Sequence, residues 1–307
     1  MRVLFMGTPD FAVYSLDALC SSRHEVIGAV TQPDKPGNRG VTVFSAVKKY
    51  AFEKGIPVYQ FEKIRRDGAD VLRTLGADVF VTAAYGQILS REIIDIPRYG
   101  ILNVHASLLP AYRGSCPIQR AIINGEKETG VTIMQTSEGL DTGDILYVKK
   151  TDILPDDNAQ TLFEKLGELG AQALLECLDK LERGEIIPVR QDESKASYYP
   201  MLCKSDGEIN WSLPSDKLDC FIRGVTPWPG AYTHYDGKLL KIHRAKPADG
   251  NGIAGTVLEI GKAGIKIACG KGALLINELQ LEGKKRMCCA DFINGCRLKA
   301  GDRLGNA

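Results

Sequence analysis

The sequence predicts an α/β protein: a Rossmann-like, mostly parallel sheet with helices on both faces, followed by a C-terminal β-barrel. Up to residue 184, strand-like apolar runs alternate with segments of helical apolar spacing, which is typical of a parallel sheet. Across residues 231–281 the pattern changes to short alternating strands broken by Gly-rich turns, which favours a small barrel. A polar, Pro-containing stretch separates the two patterns. We therefore expect one domain at 1–184, a linker at 185–203 and a second domain at 204–307.

The individual elements follow from local spacing and from turn residues. A helix should begin at Pro117, because proline suits the first helical turn, and end at Asn124-Gly125. Helical apolar spacing also runs from Asn158 to Glu182, where Gly184 closes the helix. Strands are predicted at Arg2–Met6, Val26–Thr31, Pro57–Gln60, Asp78–Ala84, Gly130–Thr136 and Ile145–Lys149, and a further short strand begins at Ile101 and carries Asn103. Helices are predicted at Phe11–Leu19, Val43–Glu53, Gly68–Leu75, Pro117–Asn124, Asn158–Glu182 and Ser215–Arg223.

Composition and the first turn exclude several classes of protein. Of the 307 residues, 44% are apolar and 25% are charged, which is ordinary for a folded globular chain and argues against disorder. Gly7 stands alone after the first strand, so no GxGxxG motif supports dinucleotide binding. No apolar run reaches the roughly 20 residues that span a bilayer, and Met1 leads directly into a strand. We therefore expect a cytoplasmic protein without membrane contact.

Cysteine spacing and charge distribution give two further expectations. The nine cysteines show no CxxC or His-paired spacing, which predicts reduced thiols and no metal site. Residues 1–203 contain 23 Lys and Arg against 27 Asp and Glu, a net charge of −4. Residues 204–307 contain 16 against 11, a net charge of +5. The distal third is therefore the candidate phosphate-binding region.

The strongest functional signal is the stretch ILNVHASLLP at residues 101–110. Side chains alternate between the faces of a strand, so Asn103 and His105 share one face and Val104 occupies the other. An amide donor and a titratable imidazole thus meet at a strand's carboxyl end, where open α/β sheets bind ligands. Asp141 follows in a Gly-rich turn between two strand-like runs. The convergence of three dissimilar polar residues on one sheet edge predicts a catalytic site.

These motifs resemble those of the folate-dependent formyltransferases. The likeness begins with Asn103-x-His105, the following Ser107-Leu108-Leu109-Pro110, and the turn Gly139-Leu140-Asp141-Thr142-Gly143. It extends along the chain through Gly7-Thr8-Pro9-Asp10-Phe11, Thr31-Gln32-Pro33-Asp34, Ala84-Tyr85-Gly86, Pro117-Ile118-Gln119-Arg120 and Pro227-Trp228-Pro229-Gly230. Each short motif alone is weak, whereas their order and spacing together are specific.

Within that family, the sequence resembles the members that formylate initiator methionyl-tRNA. The resemblance implies transfer of a formyl group from 10-formyltetrahydrofolate, as cosubstrate, to the free amino group of the charged methionine. It implies that residues 1–184 form the formyltransferase catalytic domain and that residues 204–307 form an OB-like barrel that binds tRNA. We also expect the chain to act as a monomer and to use no metal.

The resemblance also assigns roles to individual residues. Catalysis is assigned to Asn103, His105 and Asp141, and contact with the tRNA acceptor end to Arg39. Folate contact is assigned to Ser107, Leu108, Leu109 and Pro110, with the main chain near Tyr85-Gly86-Gln87-Ile88 as a second wall. A flat pterin suits an apolar slot edged by main-chain donors and acceptors, which agrees with this assignment.

Several alternatives remain open from the sequence. Formyl transfer needs donors for an oxyanion, which Asn103 and His105 can supply, and a proton carrier, either His105 or a water bound by Asp141. Asp141 can orient the imidazole, stabilise its charged form or accept the proton. A first rival function is formylation of a nucleotide-linked amino sugar, against which stand residues 117–122 and the basic distal third. A second rival is a binding protein that holds tRNA or folate without turnover.

Overall fold

The computed structural model of the chain describes residues 1–36, 42–295 and 298–305. The chain forms two compact units. The first unit comprises Met1–Pro117, Glu128–Asp152 and Phe163–Tyr199, and the second comprises Ile118–Lys127, Ile153–Leu162 and the chain from Pro200 onward. The second unit therefore draws two short segments from the first two thirds of the sequence.

The first unit is organised around a sheet of seven strands in the order β5-β2-β1-β6-β7-β9-β10. The strands up to residue 199 are β1 (Arg2–Gly7), β2 (Glu25–Thr31), β3 (Lys35–Pro36), β4 (Thr42–Val43), β5 (Val58–Gln60), β6 (Val79–Ala83), β7 (Ile101–His105), β8 (Arg113–Gly114), β9 (Glu128–Gln135), β10 (Ile145–Asp152) and β11 (Tyr198–Tyr199). Neighbours from β5 to β7 pair in parallel, whereas β9 pairs antiparallel with both β7 and β10. The predicted mostly parallel sheet is confirmed.

The helices interleave with these strands as the alternating pattern predicts. They are α1 (Asp10–Cys20), α2 (Ala46–Glu53), α3 (Ile64–Asp67), α4 (Ala69–Leu75), α5 (Arg91–Ile94), α6 (Pro117–Asn124), α7 (Ala159–Glu182), α8 (Ser215–Gly224) and α9 (Cys289–Ile293). The helix predicted from Val43 begins at Ala46 instead, because the Ser45 hydroxyl accepts the Lys48 N–H and caps the helix. The four-residue helices α3 and α5 are too short for apolar periodicity to reveal.

Burial explains why the central strands read as continuous apolar runs. The side chains of β1 from Val3 to Met6 are fully buried, as are those of β6 from Val79 to Val81. A central parallel strand is covered on both faces and has no polar face to alternate with. The β9–β10 hairpin is longer than predicted, since its pairing continues out to Glu128 opposite Asp152.

The register of β7 places the candidate site. Asn103 lies opposite Thr82 of β6 on one side and opposite Met134 of β9 on the other, while His105 lies opposite Thr132. Val104 occupies the other face and packs against α7, where a Cβ at Gly170 would be 3.0 Å from the Val104 Cγ1 atom. The alternation of faces predicted for residues 103–105 is therefore confirmed.

The second unit is a small antiparallel β domain with its own core. Its strands are β12 (Ala231–Tyr235), β13 (Lys238–Ala248), β14 (Val257–Gly261), β15 (Gly264–Ala268), β16 (Ala273–Leu281) and β17 (Met287–Cys288), which form a six-stranded sheet. Its buried core includes Trp211, whose indole N–H donates to the Thr233 hydroxyl at 3.0 Å, and Leu218 and Ile222 of α8. No helix in the described part of the chain has the length and apolarity needed to cross a membrane.

Candidate active site

Asn103 presents one polar group to the site and uses the other to fix its orientation. The Thr82 hydroxyl donates to the Asn103 side-chain oxygen at 2.9 Å. In this arrangement the amide oxygen is bound to Thr82, which leaves the N–H₂ group available to another partner. Within the described chain the N–H₂ group makes no hydrogen bond. Asn103 therefore offers a preoriented donor.

His105 is buried, with 6% of its surface exposed, and its two ring nitrogens have different neighbours. Its Nε2 atom lies 3.0 Å from the main-chain oxygen of Tyr112. Since a carbonyl only accepts, Nε2 carries a hydrogen and the neutral ring has its lone pair on Nδ1. The Nδ1 atom lies 3.7 Å from Asp141 Oδ2, which is too far for a direct hydrogen bond. The basic nitrogen is thus beside a carboxylate and remains able to take a proton.

Asp141 lies in the turn between β9 and β10 and is fixed through both its side chain and its main chain. Its Oδ2 atom accepts the Gly114 N–H at 2.8 Å. Its carbonyl accepts from the Gln191 side chain at 2.8 Å. Gly143 permits the close approach of the turn to β9, because a Cβ there would be 1.6 Å from the Gln135 oxygen. The structure therefore brings Asp141 to the carboxyl end of β7, as the sequence predicts.

Two of the four predicted folate-contact residues in the loop at residues 107–110 are hydrogen-bonded to neighbouring residues of the fold. The Ser107 hydroxyl donates to the Ala111 oxygen at 2.7 Å, and both Ser107 and Leu109 are buried. Thr132 binds this loop twice, donating to the Ser107 oxygen and accepting the Leu109 N–H. Leu108 and Pro110 are half-buried. Ser107 and Leu109 therefore shape the loop, while Leu108 and Pro110 keep accessible surface.

A cavity of about 320 Å³ lies beside the second predicted folate wall. Its lining includes Gly86, Gln87 and the 75% exposed Ile88, together with Lys63 and Arg65. Gln87 donates to the Phe61 oxygen at 2.8 Å and accepts the Ile64 N–H at 2.8 Å, so the wall is internally braced. A volume near 300 Å³ is at the lower end of small-molecule sites.

Tyr85, immediately before this wall, is an unusual buried polar residue. It is 4% exposed, and its hydroxyl has no hydrogen-bond partner among the described residues. Burial raises the pKa of the Tyr85 phenol well above its usual value of 10. The main-chain oxygen of Tyr85 accepts the Thr8 hydroxyl at 2.9 Å. Tyr85 therefore contributes structure to the wall and stays neutral over the physiological range.

Other predicted residues have different outcomes. Arg39 lies outside the described residues, so its contact with tRNA stays a prediction. Cys116 is buried. Across the described ranges, no three His, Cys, Asp or Glu side chains are grouped so that they could bind a metal ion.

Sequence reasoning missed the residues that orient the three predicted catalytic side chains. These are Thr82, Tyr112, Gly114 and Gln191. Tyr112 and Gly114 act through main-chain groups, which no residue-type pattern can reveal. Gln191 lies in the polar stretch predicted as a linker, and nothing in that stretch distinguishes it. The only available signal is the position of Tyr112-Arg113-Gly114 shortly after His105.

Comparison with known proteins shows which family the chain belongs to. Residues 1–178 match the family model described as formyl transferase, and residues 201–297 match the one described as formyl transferase, C-terminal domain. A protein from Citrifermentans bemidjiense named methionyl-tRNA formyltransferase is 48% identical over 99% of this chain and 96% of its own length. One from Geotalea uraniireducens with the same name is 47% identical over 99% and 98%.

Solved structures show the same fold at lower identity. The crystal structure of the N-formyltransferase from Helicobacter canadensis, in complex with folinic acid and dTDP-3-aminofucose, superposes with a TM-score of 0.70 and 19% identity. That match covers 94% of this chain and 100% of the other. Two family models that together span most of the chain, and relatives of nearly equal length, place this protein in the formyl transferase family.

Proposed function

We propose that this protein transfers the formyl group of 10-formyltetrahydrofolate to the free amino group of initiator methionyl-tRNA. The observation that carries the proposal is the 48% identity, over 99% of the chain, with a relative named methionyl-tRNA formyltransferase. The site geometry supports it, because an amide, an imidazole and a carboxylate lie around the end of one strand. Acyl transfer to an amine requires a hydrogen-bond donor for the oxyanion and a group that carries the proton, and these side chains can supply both.

The proposed reaction begins with attack of the amine nitrogen on the formyl carbon. The carbonyl electrons move onto oxygen, and the tetrahedral intermediate then expels N10 of the folate. The Asn103 N–H₂ group is the donor that stabilises the oxyanion, since the amide oxygen is bound to the Thr82 hydroxyl. A preoriented donor of this kind needs no reorganisation as the charge develops.

His105 is the proposed proton carrier. Its Nδ1 lone pair takes the proton released by the attacking nitrogen and returns it to the departing N10. Asp141, with Oδ2 at 3.7 Å from Nδ1, stabilises the imidazolium formed between these two steps. The Asp141 carboxylate accepts the Gly114 N–H and is held in place by it. Among the roles left open by the sequence, we therefore assign charge stabilisation to Asp141.

The folate is proposed to bind between the 107–110 loop and the cavity at residues 86–88. Leu108 and Pro110 offer apolar surface on the first side, and exposed Ile88 offers it on the second. Lys63 and Arg65 line the same cavity and provide positive charge for the carboxylates of a folate. Ser107 and Leu109 then contribute by shaping the loop.

The tRNA is proposed to bind along β13 of the second unit as well as through Arg39. Strand β13 exposes Lys238, Lys241, Arg244 and Lys246 while burying apolar residues between them. Such a row of cations suits a phosphate backbone. Because charged tRNA is a cytoplasmic molecule, the proposed reaction takes place in the cytoplasm. All three proposed catalytic residues belong to one chain, so we propose a functional monomer.

Formylation of a nucleotide-linked amino sugar is the competing function. Structures of sugar N-formyltransferases share this fold, but at 19–20% identity, so the likeness is one of architecture. The relatives named for tRNA are more than twice as similar in sequence and match over nearly the whole chain. The higher sequence identity therefore favours methionyl-tRNA over an amino sugar as the substrate.

One assay separates the two functions. Purified protein with 10-formyltetrahydrofolate is offered charged initiator tRNA or a nucleotide-linked amino sugar, and formylated product is measured. We expect product with tRNA and a rate that falls steeply as salt rises, since each phosphate contact releases a counterion. Product with the sugar alone, or tRNA turnover that is insensitive to salt, would contradict the proposal.

A further inference from the structure

We infer that Gln191 is a positioning residue that sets the conformation of Asp141 and is itself oriented by Arg113. This inference rests on the proposed function and on the role proposed for Asp141. Gln191 lies 50 positions after Asp141 in sequence, in the stretch expected to be a linker. It is nevertheless 5% exposed and bonded to the turn that carries Asp141.

The hydrogen bonds of the Gln191 amide are complete and define its orientation. Its Nε2 group donates to the Asp141 oxygen at 2.8 Å and to the Gly143 oxygen at 2.7 Å. Its Oε1 atom accepts from Arg113 Nε at 3.1 Å and from Nη2 at 2.8 Å. Carbonyls only accept and a guanidinium only donates, so the amide cannot be reversed. All of its donors and both acceptor positions are used.

Arg113 provides the fixed end of this arrangement. It is fully buried, and its guanidinium also donates to both carboxylate oxygens of Glu193, at 2.9 and 2.7 Å, and to the Tyr198 hydroxyl. A charged side chain with no solvent contact is stable only when paired and hydrogen-bonded, as here. Its main-chain N–H donates to the Ser197 oxygen at 2.8 Å, which joins it again to the same stretch.

Two adjacent residues, Arg113 and Gly114, thus hold the main chain and the side chain of Asp141. Gly114 donates its N–H to the carboxylate, and Arg113 acts through Gln191 on the main chain. Asp141 has a φ of +53°, in the left-handed region that residues with a side chain rarely adopt. A turn in that conformation needs bonds from outside itself, and Gln191 supplies two. The direction of the carboxylate towards His105 Nδ1 therefore depends on Gln191.

The test is Gln191→Glu in the full-length protein. Glutamate retains an oxygen for both Arg113 bonds, but its second oxygen replaces the donor and faces the carbonyls of Asp141 and Gly143. We expect kcat with methionyl-tRNA to fall by roughly 10- to 100-fold, since displacement of a reacting group by about 1 Å costs up to about 100-fold. KM for 10-formyltetrahydrofolate should be unchanged. Gln172→Glu, the same change on the exposed face of α7, should leave both constants as in the wild type.

A double-mutant cycle distinguishes positioning from general destabilisation. If Gln191 acts through Asp141, then adding Gln191→Glu to Asp141→Asn should cause no further loss of kcat. Losses that multiply, a rise in KM equal to the fall in kcat, or wild-type turnover in Gln191→Glu would overturn the inference. If Gln191→Glu does not fold, Glu193→Gln takes its place in the cycle, because that carboxylate is 63% exposed and its loss is milder. It must show the same non-additivity with Asp141→Asn, and additivity would again overturn the inference.

The outcomes also separate this inference from the proposed function. An active wild type with independent effects of Gln191 and Asp141 would overturn the positioning role alone. A wild type that does not formylate methionyl-tRNA would overturn the proposed function and this inference with it.

Discussion

Two histidines at opposite edges of the same sheet differ in what surrounds them. His24 precedes β2 at the amino edge and His105 ends β7 at the carboxyl edge, and each is 6% exposed. Each also has a ring nitrogen 3.7 Å from a carboxylate, Asp179 for His24 and Asp141 for His105. A buried His beside an Asp is therefore not in itself a sign of catalysis.

The difference lies in the carboxylates. Asp179 is paired with Arg23 at 2.8 Å, so its charge is already balanced by a permanent cation. Asp141 accepts a main-chain N–H instead, and among the described residues His105 is the only basic side chain within 4 Å of its carboxylate. The charge of Asp141 is thus available to stabilise an imidazolium. The partner of the carboxylate, more than its distance to the imidazole, therefore distinguishes a structural His–Asp pair from the pair proposed for catalysis.

The cavities at the two edges support the same conclusion. The amino-edge cavity is the larger, about 420 Å³ against about 320 Å³, and it is lined by Arg2, Arg23 and Glu182 among others. Its charges pair with one another: Arg23 contacts Glu182 at 2.5 Å, and Arg2 contacts Glu25 at 3.8 Å. Cavity size therefore does not single out the candidate site, which is proposed because it lies at the carboxyl ends of the strands.

The comparison predicts the largest effect for equivalent substitutions of the two histidines. His105→Asn should lower kcat for formyl transfer by roughly 10²- to 10⁴-fold, because it removes the proposed proton carrier. His24→Asn should leave kcat near the wild-type value. The measurement is steady-state formylation of methionyl-tRNA by both variants at equal concentration. Comparable losses in the two variants would contradict the distinction between the edges.

A smaller effect is expected from loss of the proposed oxyanion donor, Asn103. Asn103→Ala should raise the turnover barrier by about 2.7–4 kcal/mol, the range found when one such donor is removed. Thr82→Val, which removes only the hydroxyl that orients the Asn103 amide, should cost about 1 kcal/mol in the same direction. Single-turnover rates with saturating folate test both values. A Thr82→Val loss as large as that of Asn103→Ala would show that Thr82 does more than orient the amide.

The smallest predicted effect is on the free energy of unfolding, and it concerns His24 at the amino edge of the sheet. Burial lowers the pKa of His24 below its usual 6.5. Below pH 6.5 the unfolded chain therefore binds a proton at His24 more readily than the folded chain does. The stability of the folded state is fully present above pH 6.5 and is partly lost as the pH falls below it. The free energy of unfolding of the wild type should drop more than that of His24→Asn between pH of about 7.5 and about 5.5. Denaturant titrations at the two pH values measure this difference, and equal drops would contradict it.

The sequence by itself determined the alternating layout and predicted where the candidate catalytic residues lie in it. Continuous apolar runs identify the central strands, because strands such as Val79–Ala83 are buried on both faces. The two-residue spacing of Asn103 and His105 determines their common face, since the strand repeat is two. The glycines around Asp141 identify its turn. All three predictions depend on contacts between near neighbours in sequence, which local patterns record.

Only the tertiary structure decided how these groups are oriented and which of them can react. The Gly114 N–H reaches a carboxylate 27 positions away, and Gln191 bonds to a carbonyl 50 positions away. The ion pair that distinguishes Asp179 from Asp141 is also formed across a long sequence separation, since Arg23 lies 156 positions from Asp179. A main-chain donor has no residue type, and a distant partner leaves no periodicity. For this reason the sequence could predict the three candidate catalytic residues, whereas the tautomer of His105, the charge balance of Asp141 and the support from Gln191 emerge only after the chain has folded.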